Sequence, residues 1–403
     1  YFLAKIGADT AEKEQHFAEM LSKIGNYQGP SRRPAPGALP AELAARAAAE
    51  ARRRGMGRRF ADERSLDNPG EFKGIRNFWY PVHFWSKLTK GDAMCDFPLF
   101  GEEWTLVQTD DVETAAASIE FPGCAHMASI AEGGSRSKGW VCRSVADPAK
   151  HIPIGIKDGL VMVWPGSCKP DIELPGTFKP PDGYTTHAEL IIEDVPVEHG
   201  LLMENLLDLA HAPFTHTGTF AKGWGVPNFV EFATSKLRKP GDGWHDMANG
   251  LNLASLGGQS GSWNPYPIDM KFLTPCMVDS HIGMSHAGAA GGGAQFEEGV
   301  QCAECANHLH QLHVCLPSTA GRTRLLYRMS LDFAGWAKWV PGIELVWTEM
   351  ANQVLGEDLR LVTGQQDRMQ RGGRVWAHPV AYDKLGLVYR RWRNFSVGDS
   401  CEL

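Results

Sequence analysis

The sequence predicts an α+β protein with two main parts, an antiparallel β domain and a larger α+β domain, preceded by a helical N-terminal extension. Short β-type runs broken by Gly, Pro and Asp occupy residues 74–170. Further strands follow, and the pattern then changes to one long segment with apolar residues at helical spacing, from Gly342 to Arg371. We therefore expect three segments, 1–70, 71–170 and 171–403.

Composition places the chain among ordinary globular proteins. Hydrophobic residues make up 43% and charged residues 22% of the 403 positions. The net charge is −7 and no strongly basic run occurs, so nucleic acid is not an expected partner. No apolar run approaches the roughly 18 residues of a membrane-spanning helix. The nine Cys residues, without a secretory signal, fit reduced thiols. The start at Tyr1 and not at Met is compatible with an upstream targeting segment.

The first 70 residues are predicted to form an appendage. Thr10–Ile24 has the spacing of a short amphipathic helix, and a Pro-rich break follows at Pro30–Pro40. Ala41–Arg59 is an Ala/Arg helix with good propensity and little apolar surface to bury. It fits either an arm that docks on another surface or a loosely attached extension.

The predicted β domain carries part of a cluster-binding pattern. Its clearest strands are Trp104–Gln108, Gly139–Val145 and Leu160–Trp164. A Rieske 2Fe–2S cluster needs two Cys and two His ligands, and Cys124, His126 and Cys142 match three of them. The fourth position, where a His is required, is Val145. We interpret the segment as a Rieske-like domain that has lost its cluster; the alternative is a structural β domain with chance Cys and His residues.

The larger domain contains a second Cys/His pattern between predicted strands. The strands are Thr186–Val195, Val278–Gly283, Leu309–Leu316 and Leu325–Leu331. Cys302, Cys305, His308 and His310 suggest zinc. The two His residues are two apart and share one face of a strand, which suits a metal or a polar cavity wall. We favour the cavity wall, because a closed structural zinc site usually takes its ligands from a knuckle and not from the middle of a strand.

The strongest site pattern is D-x-x-H-x-x-x-x-H, formed by Asp208, His211 and His216. The chain has three H-x-x-x-x-H pairs, and only this pair has an acid three residues before it. We expect Asp208 and His211 on one helical face, with the helix ending near Ala212 because Pro213 follows. His216 could then fold back towards His211. Two converging imidazoles suit Fe, Zn, Cu or Ni; the alternative is a helix end whose imidazoles bond backbone carbonyls.

A third ligand is expected on the long C-terminal helix. Its predicted apolar stripe contains Trp347, Met350, Val354, Leu355 and Val362. Asp358 falls within this stripe and Glu357 beside it. A lone buried carboxylate is costly unless it is paired or bound to a metal, so Asp358 is the predicted ligand and Glu357 the reserve. The alternative is an ion pair with an Arg such as Arg328 or Arg360.

Four stretches together resemble the chlorophyllide a oxygenase family of Rieske-type mononuclear iron oxygenases. They are Asn77–Val82, Pro196–Thr217, His308–Pro317 and Glu357–Gln366. The resemblance implies a helix-grip catalytic domain in which His211, His216 and Asp358 hold Fe(II). It also implies oxidation of the C7 methyl of chlorophyllide a to formyl by two O2-dependent oxygenations, with electrons supplied through ferredoxin and a Rieske cluster.

The resemblance assigns roles to two further residues and suggests a location. Asp208 would bridge to a cluster ligand in a neighbouring subunit, and Asn205 would lie close to the iron. Because Val145 breaks the cluster pattern, we expect the 2Fe–2S cluster on a homologous partner chain, in a trimer of heterodimers. The expected location is the chloroplast, in the stroma or at the thylakoid surface.

Two other functions and a membrane contact remain open at this point. One function is a non-catalytic tetrapyrrole-binding or regulatory subunit, and the other is a Rieske-type oxygenase of another bulky substrate. Trp336, Trp339 and Trp347 could form a peripheral membrane contact, although such aromatic stretches are more often core or subunit contacts.

Overall fold

The protein is described by a computed structural model covering residues 75–88, 94–109, 139–166, 178–221, 231–236, 246–247, 250–251, 258–264, 267–284, 302–373 and 383–398. The N-terminal helices predicted at Thr10–Ile24 and Ala41–Arg59 lie outside these residues, as do Cys124 and His126. The strands of the first part are β1 Tyr80–Phe84, β2 Met94–Leu99, β3 Glu102–Thr109, β4 Gly139–Ser144, β5 His151–Ile152, β6 Ile154–Lys157 and β7 Leu160–Val163. Those of the second part are β8 Thr185–Val195, β9 Glu231–Lys236, β10 Asp246–Met247, β11 Gly250–Leu251, β12 Gly258–Asn264, β13 Ile268–Leu273, β14 Met277–Met284, β15 Asn307–Pro317 and β16 Thr323–Leu331.

Five α-helices accompany these strands within the described residues. They are α1 Trp85–Leu88, α2 His199–Leu206, α3 Ala212–Thr215, α4 Ile343–Gln370 and α5 Lys384–Gly398. Short 3-10 turns occur at Cys302–Glu304 and Gly335–Trp339. The predicted α+β class is therefore confirmed, and the predicted long helix from Gly342 to Arg371 agrees with α4 to within one residue at each end.

The first part of the chain forms two small antiparallel sheets. One has the order β2-β3-β4-β5 and the other β1-β7-β6. Strands β1 and β7 are buried along their whole length, and in the middle of β3 Trp104, Thr105 and Leu106 are buried. The sheets match the predicted antiparallel β domain, while its boundaries at 71 and 170 stay a prediction.

The second part is built on a seven-stranded antiparallel sheet with the order β8-β16-β15-β14-β13-β12-β9. The β1 strand packs on one face of this sheet: the Arg324 guanidinium of β16 donates to the Val82 carbonyl and lies over the Phe97 ring. Helices α2 and α4 lie against the other face. One continuous core cluster joins the sheet to both sides.

Helix α2 is fixed in place by a buried ion pair. Its N-cap residue Glu198 accepts hydrogen bonds from the N–H groups of Gly200 (2.9 Å) and Leu201 (3.2 Å). The same carboxylate accepts from Arg393 of α5 at 2.5 and 3.2 Å. A side chain at Gly200 would overlap the Arg393 guanidinium, so only glycine fits there. This contact sets the direction in which α2 delivers the residues that follow it.

The end of α2 differs from the sequence prediction. The helix stops at Leu206 and not near Ala212, because the Asp208 carboxylate accepts a hydrogen bond from the Ala210 N–H (2.8 Å) and forms a turn. Asp208 and His211 therefore do not share a helix. Pro213 does not end a helix either, since it lies in the first turn of α3, where its missing N–H is tolerated.

The predicted apolar stripe of α4 is only partly buried. Asp358 and Val362 are its buried residues within the described part, while Met350 is exposed. Helix α4 lies against β8, the edge strand of the large sheet, so one side of it faces away from the protein. Together with the preceding 3-10 turn it exposes a surface of large apolar side chains, namely Trp336, Trp339, Val340, Leu345, Val346 and Met350. Of the helices in the described segments, none is both long and apolar enough to span a bilayer.

Candidate mononuclear metal centre

Three nitrogen and oxygen donors from separate parts of the chain meet beneath the large sheet. The Asp358 Oδ1 atom lies 3.2 Å from His211 Nε2 and 2.9 Å from His216 Nε2. The two imidazole nitrogens are 3.3 Å apart. Asp358 and His216 are buried and His211 is nearly so. The structure thus brings together the three residues that the sequence singled out.

The two His residues owe their approach to the one-turn helix α3. His211 is its N-cap residue and His216 its C-cap residue. Backbone bonds from Thr215 N–H to the His211 carbonyl (3.0 Å) and from His216 N–H to the Ala212 carbonyl (2.9 Å) close this turn. A separation of five residues therefore becomes a short distance, which a continuous helix would not give.

The Glu357 carboxylate supports His216 from behind. Its Oε2 atom accepts from His216 Nδ1 at 3.0 Å and from the Thr219 hydroxyl at 2.5 Å. With a proton held on Nδ1 by Glu357, His216 can offer its Nε2 lone pair to a metal ion in place of the Nε2–H hydrogen bond to Asp358. The reserve ligand of the sequence analysis therefore contacts the imidazole and not the point where the three donors meet.

Electrostatics in the site favour a charged Asp358. Burial alone would raise its pKa, but hydrogen bonds from His211 and His216 hold the pKa of Asp358 well below its usual range. Burial lowers the pKa of His211, and the carboxylates of Asp358 and Asp208 outweigh this and raise it. The three side chains therefore already attract positive charge to the place where they meet.

Asp208 and Asn205 lie on the approach to this centre. Asp208 Oδ2 is 3.9 Å from His211 Nδ1, too long for a hydrogen bond, and its side chain is 36% exposed. Partial burial raises the pKa of Asp208, against the lowering effect of His211. Asn205 is buried at the end of α2, and its carbonyl accepts the Asp208 N–H at 3.2 Å.

The sheet contributes a residue that the sequence analysis did not single out. His313 of β15 is half-buried beside Tyr327 of β16, with ring centroids 4.9 Å apart. Desolvation lowers the pKa of His313 to about 4, although the nearby Asp358 charge raises it. A neutral imidazole therefore faces the site from the sheet side. His308 and His313 have the H-x-x-x-x-H spacing, but this spacing did not predict a shared site. The two side chains lie on opposite faces of the strand.

The donor set fits a transition-metal ion. Donors about 2.1 Å from one ion and at right angles to each other are about 3.0 Å apart, close to the 2.9–3.3 Å found among the three atoms. Two neutral imidazoles and one carboxylate form the facial donor set of non-haem Fe(II) oxygenases. The residues present therefore suit such an ion.

The Cys302–His310 segment does not gather its four predicted side chains into one site. The two ring nitrogens of His308 face acceptor oxygens, with Nδ1 2.6 Å from the Asp332 carboxylate and Nε2 2.9 Å from the Cys302 carbonyl. Cys302 Sγ points to the His281 carbonyl at 3.6 Å. His310 turns instead to Asp279, at 3.1 Å. The preference for a polar wall over a Cys/His zinc site agrees with these contacts.

The remaining described residue of the Rieske-like pattern is embedded in the core. Cys142 is fully buried in the middle of β4, between Leu106 of β3 and Ile152 of β5. Desolvation raises its pKa well above the usual value, so the thiol form is favoured. Val145 follows the strand and is exposed.

Comparison with known proteins gives one family match and several curated relatives. The family described as pheophorbide a oxygenase matches residues 272–376. Chlorophyllide a oxygenase of Chlamydomonas reinhardtii is 46% identical over 355 residues, covering 82% of this chain and 50% of the relative. The Oryza sativa subsp. japonica chlorophyllide a oxygenase is 44% identical over 345 residues, covering 79% and 57%. The chain thus spans about half the length of the curated relatives it matches.

A solved structure shows the same fold at low sequence identity. Dicamba monooxygenase bound to 3,6-dichlorosalicylic acid is 16% identical, with a TM-score of 0.51, and the match covers 80% of this chain and 97% of the other. At this identity the match supports the fold and carries nothing about the substrate.

Proposed function

We propose that this chain, a relative of the chlorophyllide a oxygenases, is the mononuclear-iron subunit of such an oxygenase. The proposed reaction converts the C7 methyl of chlorophyllide a to formyl by two successive oxygenations, each using one O2 and two electrons. The observation that carries the proposal is the meeting of His211 Nε2, His216 Nε2 and Asp358 Oδ1 within 3.3 Å. A module that only bound pigment would not need three converging donors.

His211, His216 and Asp358 would hold Fe(II), which supplies O2 activation when bound at a site of two His and one carboxylate. Glu357 keeps the Nδ1 proton on His216, so that the opposite nitrogen stays available. Asp358 adds the negative charge that a divalent cation needs in a buried site. His313 lies on the sheet side, where its ring packs against Tyr327.

We further propose that the electrons come from a Rieske 2Fe–2S cluster on a homologous partner chain, itself reduced by ferredoxin, in a trimer of heterodimers. Val145 replaces the fourth cluster ligand of this chain. Asp208 supports the proposal because it lies 3.9 Å from His211 Nδ1 and stays 36% exposed, so a group from another subunit can reach it. Asn205 would fix the Asp208 backbone next to the iron. Because the curated relatives carry the label chloroplastic, we place the protein in the chloroplast.

Iron and acid-labile sulfide per chain, measured on protein purified without a partner, test the division of labour. We expect about one iron and no sulfide, since the three donors hold a single ion, and a His211→Ala variant should lose it. Roughly three irons with sulfide would show that a cluster survives on this chain and would overturn the partner proposal. Absence of iron even after Fe(II) reconstitution would favour the alternative, a non-catalytic tetrapyrrole-binding subunit.

The exposed apolar surface at the start of α4 supports a peripheral membrane contact. Trp336 is 73% and Trp339 81% exposed, and Trp favours the boundary between lipid headgroups and acyl chains. Cosedimentation with vesicles of thylakoid lipids should decrease for the Trp336→Ser/Trp339→Ser variant. Equal sedimentation of the wild type and this variant would remove the membrane proposal and leave a subunit contact.

A further inference from the structure

A second group of metal-binding side chains lies on the large sheet, on the face opposite the mononuclear centre. Asp279 and His281 are two residues apart on β14, and His310 of β15 is the direct cross-strand partner of His281. Residues two apart on a strand, and residues paired across strands, point to the same face. His313, three residues beyond His310, points to the other face, towards Asp358. The two groups of donors are therefore separated by the thickness of the sheet.

The geometry of this group is close to that of a metal site. Asp279 Oδ1 is 3.1 Å from His310 Nε2 and 3.8 Å from His281 Nε2, and the two imidazole centroids are 4.7 Å apart. An ion with bonds of about 2.1 Å needs donors roughly 3.0–3.5 Å apart. Only His281 has to move to reach this spacing. It is also the exposed member, at 22%, so it is free to adjust and leaves a route for an ion.

Two of the three donor residues of this group are removed from water. Asp279 and His310 are buried, at 2% and 1% exposure. Lys271 on β13 is the cross-strand partner of Asp279, and Asp269 is the cross-strand partner of His281. The two carboxylates outnumber the one lysine, so these side chains favour a cation.

We propose that Asp279, His281 and His310 bind a Zn²⁺ ion that ties β14 to β15. Two imidazoles and a carboxylate are suitable ligands for zinc, with water in the remaining position. Of the four residues in the Cys302–His310 pattern, only His310 takes part in this site. His308 is held by Asp332 and the Cys302 carbonyl. The site is independent of the proposed oxygenase function.

The test measures Zn²⁺ binding in a full-length chain whose iron site has been removed by His211→Ala and Asp358→Ala. Zn²⁺ affinity is determined by competition with a chromophoric chelator, and the melting temperature is followed as Zn²⁺ is added. We expect about one Zn²⁺ per chain and a melting temperature that rises with Zn²⁺, because an ion that binds only the folded state stabilises it. Loss of a residue that only hydrogen-bonds a metal ligand lowers metal affinity by roughly 10–100-fold. Adding His281→Ala removes a direct ligand and should therefore lower the Zn²⁺ affinity by more than this.

His308→Ala in the same background is the matched control, since it removes a neighbouring imidazole from β15 without touching the proposed ligands. It should bind Zn²⁺ as the background does. His281→Gln keeps a similar volume at the exposed position and shows whether any loss reflects ligation or folding, which circular dichroism reports separately. The proposal is overturned if the background binds no Zn²⁺, or if His281→Ala and His281→Gln bind it as tightly as the background. Loss of binding in His308→Ala with binding kept in His281→Ala would assign the ion to the Cys302–His308 side chains instead.

Discussion

Replacing Glu357 by Ala is expected to weaken Fe(II) binding without abolishing it. The carboxylate accepts the His216 Nδ1 proton at 3.0 Å and is only 15% exposed, so water substitutes for it poorly. Loss of a carboxylate behind a ligating imidazole costs about 10–100-fold in metal affinity. At about 1.36 kcal/mol per decade this equals roughly 1.4–2.7 kcal/mol. Glu357→Gln keeps an acceptor oxygen without the charge, so its loss should be smaller.

The assay is an anaerobic titration with Fe(II), or with Co(II) as a stand-in that resists oxidation, against a competing chelator. A His281→Ala background restricts the measurement to the mononuclear centre. Glu349→Ala is the matched control, because Glu349 lies exposed on the same helix α4. Asp358→Ala removes a direct ligand and should lose more affinity than Glu357→Ala. If Glu357→Ala abolished binding and Asp358→Ala only weakened it, the assignment of ligand and outer partner would be reversed.

Three further outcomes follow from the structure. Asp208→Asn should lower turnover with the Rieske partner while iron content stays at the wild-type level; full turnover would exclude an electron-relay role. Gly200→Ala should lower the free energy of unfolding by about 3–5 kcal/mol in a denaturant titration, because a Cβ displaces Arg393 from its buried ion pair. The control Gly356→Ala places its Cβ in open space and should not destabilise the fold. Arg393 and His199 hold the pKa of Glu198 well below 4.5 against desolvation. Its stabilising contribution is therefore complete above about pH 4.5 and is lost as the pH falls through the folded-state pKa. Urea midpoints at decreasing pH should show this decline, and Glu198→Gln should flatten it.

Elements with a strong period were predictable from the sequence. The long helix agrees with α4 to within one residue at each end, because its apolar spacing extends over many turns. The strands β14, β15 and β16 were each predicted within two residues at either end, since their apolar and branched residues match a strand bounded by turns. Strands β12 and β13 were not predicted. The Gly- and Ser-rich sequence of β12 has no clear period, and pairing with its neighbours decides its structure. In β13, Ile268, Met270 and Phe272 alternate with Asp269 and Lys271, a strand pattern that the sequence analysis missed.

The predicted end of α2, near Ala212, was wrong for a local reason. Apolar spacing continues through Leu209, so periodicity alone extends the helix. A single side-chain hydrogen bond, from the Ala210 N–H to Asp208, outweighs that signal and begins the turn at Leu207. The error in secondary structure did not affect the choice of His211 and His216, because residue type and spacing, and not the helix, identified them.

The candidate donors could be named from the sequence, with Asp358 preferred and Glu357 kept in reserve. His211 and His216 follow from a local pattern, and Asp358 was preferred because a carboxylate within an apolar stripe could not remain unpaired. The choice between the two carboxylates depended on tertiary packing, in which Asp358 meets the imidazoles and Glu357 contacts His216 from behind. Neighbouring residues on a helix differ by about 100° in direction, so the angle at which α4 packs on α2 and the sheet selects between them. The register of β14 and β15 likewise brought Asp279, His281 and His310 together, and register depends on pairing between distant segments, which no local pattern specifies.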